Sequence, residues 1–254
     1  MSSPEGKSGG WGSGSLIIGL VVIGGIVGAA VALSGGSGGS SGGGGGVFGG
    51  SAVSAQYGQI FSVTYNDGQQ SKDTYESYVR DALAFWENIL DETETINVSV
   101  NIISDTPTTL ATGGPYSTTN LKGGGVINFN RNASAYNWVD VTKHEFGHAM
   151  GMGLNQKWGA NVITQGGSRY LDAAGFPETY QVYVDQYLNE GEDGGDKIPL
   201  SEYGGHFSEE VFDTELMTPY AEGPGVTQPT TLLTLTALKE LGWNVDLTKA
   251  EPKN

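Results

Sequence analysis

Residues 141–156 read VTKHEFGHAMGMGLNQ, with His144 and His148 four apart, Glu145 between them and Gly151 following. On a helix, positions four apart share one face a turn above each other, so both imidazoles can aim a nitrogen at a single ion. Glu145 would lie about 100° around from His144, close enough to touch a metal-bound water without ligating the metal. Zinc accepts neutral imidazoles, and hydrolytic zinc sites commonly combine three protein ligands with a water. A contiguous H-E-x-x-H-x-x-G-x-x-H pattern would place the third histidine at position 154, where this chain carries Leu154.

The histidine inventory narrows the search, because the chain holds only His144, His148 and His206. An imidazole third ligand must therefore be His206, which opens HFSEEVFDTELMTPY (206–220). There Met217 stands beside the turn-forming Pro219, and a methionine turn beneath the ligands is the second half of the metzincin signature. A gluzincin arrangement would instead recruit a downstream glutamate such as Glu178 or Glu190, leaving His206 idle and Gly151 without a role as the bend after the ligand helix.

HEFGHAMG followed, after an insertion, by HFSEEVFDTELM resembles the leishmanolysin-type metzincin zinc peptidases. These keep H-E-x-x-H-x-x-G and deliver the third histidine several dozen residues later in an H-W-x(7)-E-L-M segment. His206, Glu215, Leu216 and Met217 fall at that spacing, and IPLSEYGG (198–205) and LTALKELGW (235–243) are also similar to family members. The resemblance spans roughly residues 57–247. It implies an α+β, metzincin-like domain: a twisted mixed sheet with two main helices in its N-terminal part, an irregular insertion, a Met turn and a C-terminal helix. It also implies one catalytic zinc on His144, His148 and His206, Met217 as a structural floor, and peptide or protein substrates. Metzincins pair extended substrate with an edge strand, and VINFN (126–130) is the expected upper rim of the cleft, with Val126, Ile127, Asn128 and Phe129 as substrate-binding candidates. Tyr220 follows Met217 one residue too late for the tyrosine that reaches the metal in some metzincins. Phe207 replaces the usual Trp, a packing change that leaves the ligand in place, and the absence of cysteine rules out a cysteine switch for latency.

In the chemistry expected of such a site, zinc lowers the pKa of its water toward ~7 and polarises the scissile carbonyl. Glu145 acts as general base and then hands the proton to the leaving amine. The alternative is a zinc-binding surface or adhesion module, or a pseudoprotease, without turnover. Purely structural zinc usually has four protein ligands, however, and no fourth histidine or any cysteine is available.

Several elements must position these groups. IFSVTY (60–65) alternates Phe61, Val63 and Tyr65 on one face, as a strand does. KDTYESYVRDALAFWENIL (72–90) spaces Tyr75, Tyr78, Val79, Ala82, Trp86, Ile89 and Leu90 at helical intervals. INVSVNII (96–103) turns Ile96, Val98, Val100 and Ile102 inward, and GGGVINFN (123–130) reads as a further strand. The ligand helix starts at Asn137, a good N-cap, with Asp140 in its first turn, and should stop near Gly151 to Gly153. GFPETYQVYVDQYLNEG (175–191) is helical in part, and TTLLTLTALKELGW (230–243) is a helix with Leu235, Leu238 and Leu241 on one face and Gly242 at its C-cap.

The 254 residues contain no cysteine, which excludes disulfide scaffolds, thiol catalysis and iron–sulfur chemistry. Twenty-eight acids against twelve bases give a net charge of −16, which repels phosphate backbones and argues against nucleic-acid binding. Calcium is not expected, since the acidic loop 189–196 lacks EF-hand ligand spacing. Residues 1–15 form a leader, and 16–33 an apolar, uncharged run of eighteen residues, just long enough to span a bilayer. This run is read as a membrane anchor with the peptidase domain exported, the alternative being a signal cleaved near AVA (30–32) and a secreted domain. A Gly/Ser-rich linker (34–56) precedes one compact domain at 57–247, and 248–254 form a C-terminal tail.

Overall fold

The computed structural model describes residues 50–254 except 107, 136, 193 and 254, together with the short strand Leu16–Ile17 (β1). The leader, most of the apolar segment and most of the linker lie outside the described residues. Among the described residues no helix is long and apolar enough to cross a membrane.

The chain is of α+β class, with a mixed five-stranded sheet and six α-helices among the described residues. The sheet is ordered Val53–Tyr57 (β2), Phe61–Tyr65 (β3), Ile96–Ile103 (β4), Gly125–Asn130 (β6), Ala111–Pro115 (β5). Its three central strands run parallel, and β2 and β5 run antiparallel at the two edges. Phe61, Val63, Tyr65, Ile96, Val98 and Val100 are buried, as the alternating pattern dictates, and Ile102 at the strand end is half-buried. One expected boundary shifts. β2 takes in the last residues of the segment read as linker, so the five-stranded sheet begins at residue 53 rather than 57. The C-terminal tail is docked, with Glu251 exchanging hydrogen bonds with Thr230.

Two helices cover the inner face of the sheet. Gln69–Glu87 (α1) buries Tyr75, Val79, Leu83 and Trp86, and Tyr75 stacks on Phe129 of β6 at 4.2 Å. Trp138–Ala149 (α2) packs between α1 and strands β5 and β6. Phe146 meets Phe61 edge-on at 5.1 Å, and the Trp86 indole donates to the Lys143 carbonyl at 3.2 Å.

The second half begins with Gln156–Ala160 (α3) and a small antiparallel sheet of Val162–Gln165 (β7), Ser168–Asp172 (β8) and Lys197–Pro199 (β9), with Pro177–Tyr187 (α4) between β8 and β9. Then come Glu209–Phe212 (α5), Tyr220–Ala221 (β10), which pairs with β1, and Leu232–Leu241 (α6). α6 is capped by Thr231 at its start and by Gly242, at φ 109°, at its end. Leu235 and Leu238 are buried while Leu241 is half-buried.

Candidate metal centre

Asn137 opens α2 as expected: its side-chain oxygen accepts from the Val139 and Asp140 amides, a cap worth about 1 kcal/mol. With the Phe146 face committed to the core, His144 and His148 project toward the second half of the molecule. Past Ala149 the chain turns at Gly151 (φ 101°) and Gly153 (φ 74°), both in the left-handed region that disfavours any side chain. An added Cβ on Gly151 would lie 2.6 Å from Leu121 Cδ2, which accounts for glycine at the predicted bend.

The excursion that follows returns His206 to α2. Its two ends touch, since an added Cβ on Gly153 would lie 2.1 Å from the Gly205 carbonyl oxygen. The Trp158 indole donates to the Gly204 carbonyl at 2.9 Å. His206 itself sits in a tight reversal in which Leu200 bridges Phe207 and the Ser201 amide donates to the His206 carbonyl at 3.0 Å. Phe207 is fully buried against Trp158 and Phe212, so the aromatic beside the histidine anchors the return.

The three Nε2 atoms form a nearly equilateral triangle: 3.0 Å from His144 to His148, 2.9 Å from His148 to His206, and 3.1 Å from His206 to His144. His144 Nδ1 lies 2.6 Å from the Leu216 carbonyl and His148 Nδ1 lies 2.9 Å from the Met152 carbonyl. A carbonyl can only accept, so both Nδ1 atoms carry the proton and both Nε2 atoms present lone pairs to the centre. Burial holds all three imidazoles below their usual pKa, His148 down to about 4, and mutual repulsion lowers His144 and His206 further. Neutral, buried imidazoles with converging lone pairs repel one another unless a cation lies between them. The donor set therefore fits a metal ion.

Glu145 is fully buried, and neither carboxylate oxygen has a hydrogen-bond partner among the described residues. Desolvation pushes its pKa well above the usual carboxylate value; the Gly113 amide faces it and offsets part of this without closing a hydrogen bond. An orphaned buried carboxylate costs stability, so its retention marks a group kept for interaction with something else.

Met217 packs against α2 at Gly147. It is buried, and an added Cβ on Gly147, between the two α2 histidines, would lie 2.6 Å from its sulfur. The Phe207 amide donates to the Met217 carbonyl at 3.0 Å, tying this turn to the residue after His206.

The expected rim strand is corrected. β6 is interior, bonded on both sides by β4 and β5, so its backbone has no free edge. Ile127 and Phe129 are core residues, and Asn128 is engaged with Asn101 and Thr112. The edge belongs to β5, whose Gly113 backs directly onto Glu145: an added Cβ there would lie 2.1 Å from the Glu145 carbonyl oxygen. ATGGP (111–115) holds two glycines and a proline and lacks the apolar alternation that marks a strand.

Elsewhere, Tyr220 belongs to β10 and its carbonyl accepts from Gln228. Glu178 is engaged on the surface with Lys239, 2.6 Å away, and Glu190 is exposed, so neither completes the centre. A second carboxylate group, Glu209, Asp213 and Glu222, converges near the Met217 turn, where burial raises Glu209 to about 7 and its neighbours add to the rise. No family model matches the chain, and no curated protein matches it significantly.

Proposed function

We propose that this chain is a zinc-dependent endopeptidase of the leishmanolysin-like metzincin type, with His144, His148 and His206 holding the ion and Glu145 as general base. The observation that carries this reading is the pairing of a neutral, converging histidine triad with a fully buried carboxylate that closes no hydrogen bond among the described residues. Tetrahedral zinc with bonds of about 2.0–2.1 Å asks for nitrogens roughly 3.3 Å apart. The separations of 2.9–3.1 Å are within a small breathing motion of that.

Zinc in this site would supply Lewis-acid polarisation of the scissile carbonyl and a water of lowered pKa. Glu145 takes the proton of the attacking water, and its desolvated environment makes it a stronger base than a surface carboxylate. The same carboxyl then protonates the leaving amine. The Leu216 and Met152 carbonyls keep two imidazoles in the ligating tautomer. β5, the edge strand beside Glu145 among the described residues, offers backbone donors and acceptors to an extended peptide. We propose the apolar segment 16–33 as the tether that places this domain at an exported membrane face, which requires Leu16 and Ile17 to leave β10, with signal cleavage and secretion as the alternative.

The test compares the chain with its Glu145→Ala variant. Both should bind about one zinc per chain, and only the unmodified protein should cleave unfolded protein in a chelator-sensitive way. Equal cleavage by the two, or none by either at full zinc loading, rejects the peptidase reading.

A further inference from the structure

Glu215 is almost completely buried, 1 % exposed, yet it is no orphan. One carboxylate oxygen accepts from the Met217 amide at 2.5 Å. The other accepts from the Thr234 hydroxyl at 2.6 Å and, more distantly, from the amide and hydroxyl of Thr231 at 3.4 Å each. Thr231 is the N-cap of α6 and Thr234 lies in its first turn, so this carboxylate bridges the Met217 turn to the start of α6. Between Glu215 and Met217 stands Leu216, whose amide donates to the Pro229 carbonyl at 3.0 Å and whose carbonyl receives His144 Nδ1.

We propose that Glu215 is a positioning residue for the metal centre: by pinning the Met217 turn to α6 it holds the Leu216 carbonyl against His144 and so sets the direction of that imidazole. The inference rests on the zinc reading of the three histidines. The chemistry suits a carboxylate, because both amides are obligate donors and two oxygens can receive them together with a hydroxyl. An aliphatic side chain in its place would leave the Met217 amide buried and unsatisfied, and the turn would relax to find it a partner. Because the Leu216 carbonyl is fixed to the same short turn, that relaxation is transmitted directly to His144. Partners that orient a metal-bound histidine typically change metal affinity 10–100-fold when removed.

The experiment uses the full chain loaded with zinc or cobalt(II), with affinity read by chelator competition and ligand geometry by the visible cobalt spectrum. Glu215→Ala should weaken zinc binding about 10–100-fold and shift the cobalt bands. Glu215→Gln, which keeps an oxygen for the Met217 amide, should recover most of both. Thr234→Val should shift the cobalt bands more weakly, and it decides the matter if Glu215→Ala does not fold. An unchanged cobalt spectrum in the variant that decides, or a Gln variant as impaired as the Ala one, overturns the proposal. Zinc bound alike by the unmodified chain and Glu215→Ala removes only the role of Glu215. Failure of the unmodified chain to bind zinc removes the zinc reading and this inference together.

Discussion

Gly153 and Gly205, fifty-two positions apart, meet backbone to backbone, leaving 2.1 Å between a Cβ added to Gly153 and the Gly205 carbonyl oxygen. This contact closes the excursion that carries His206 to α2. Neither partner is a flexible side chain, and Gly153 also holds φ at 74°. Gly153→Ala should therefore cost roughly 3 kcal/mol in urea unfolding and weaken zinc binding, since Gly205 immediately precedes His206. Gly166→Ala, at φ 62° in the same excursion with nothing within 4 Å of its added Cβ, should cost only about 1 kcal/mol and leave zinc binding unchanged. Equal effects of the two would show that the closure does not position His206.

Leu154 occupies the place of the third histidine in a contiguous motif, but the chain there has already turned. The Leu154 and Asn155 amides both donate to the Gly151 carbonyl, at 3.1 and 2.8 Å, and the Leu154 side chain leans on Gly114 of the edge strand. A histidine introduced at this position would face β5 rather than the triad. The double variant His206→Ala, Leu154→His should thus bind zinc no better than His206→Ala alone, which itself should lose zinc almost as completely as His148→Ala. A tenfold recovery on adding the Leu154→His change would contradict this geometry.

The convergence of the three histidines and the carboxylate beside them was legible because the signal is local and chemical: a four-residue spacing, a glutamate between, and an exhausted supply of histidine. The helix start at Asn137 and the Gly242 terminus were legible for the same reason, since caps are written in two or three adjacent residues. What stayed hidden depends on close approach between distant segments. β5 carries no strand signature because Gly113, Gly114 and Pro115 are poor strand formers. They are tolerated because α2 lies against the strand too closely for a side chain at Gly113. Missing β5 transferred its edge role to β6. The carbonyls of Leu216 and Met152 that orient two imidazoles are backbone atoms, and no residue type announces them.

That close approach gives a graded pair of substitutions. An added Cβ on Gly113 meets the backbone of Glu145 at 2.1 Å, whereas one on Gly147 meets the end of the Met217 side chain, with Sδ at 2.6 Å. Methionine can rotate away and a helix backbone cannot. Gly113→Ala should destabilise by about 3 kcal/mol or more, and Gly147→Ala by roughly 1–2 kcal/mol, both measured by chemical denaturation. Gly147→Ala should also alter the cobalt spectrum, because Met217 shares its turn with the carbonyl that holds His144. Should Gly147→Ala prove the costlier of the two, the packing of α2 on β5 would need revision.

The carboxylates beside that turn supply a pH dependence of definite sign. Burial raises the Glu209 pKa from 4.5 to about 7, with Glu222 and Asp213 adding to the rise and a hydrogen bond from Thr218 opposing it. Because the folded pKa lies above the unfolded one, the native state binds this proton more tightly. The resulting stability is fully present below about 4.5 and is lost as pH rises through about 7. Glu209→Gln fixes the side chain in a neutral form. Its melting temperature should exceed that of the unmodified chain at pH 8, with the advantage shrinking as pH falls toward 5. The histidines work in the opposite direction: His148, held at about 4, contributes stability above 6.5 that is lost as pH falls. That loss is common to both proteins and cancels when they are compared at each pH. An advantage that is constant with pH, or larger at pH 5 than at pH 8, would mean that Glu209 does not carry its extra proton in the folded chain.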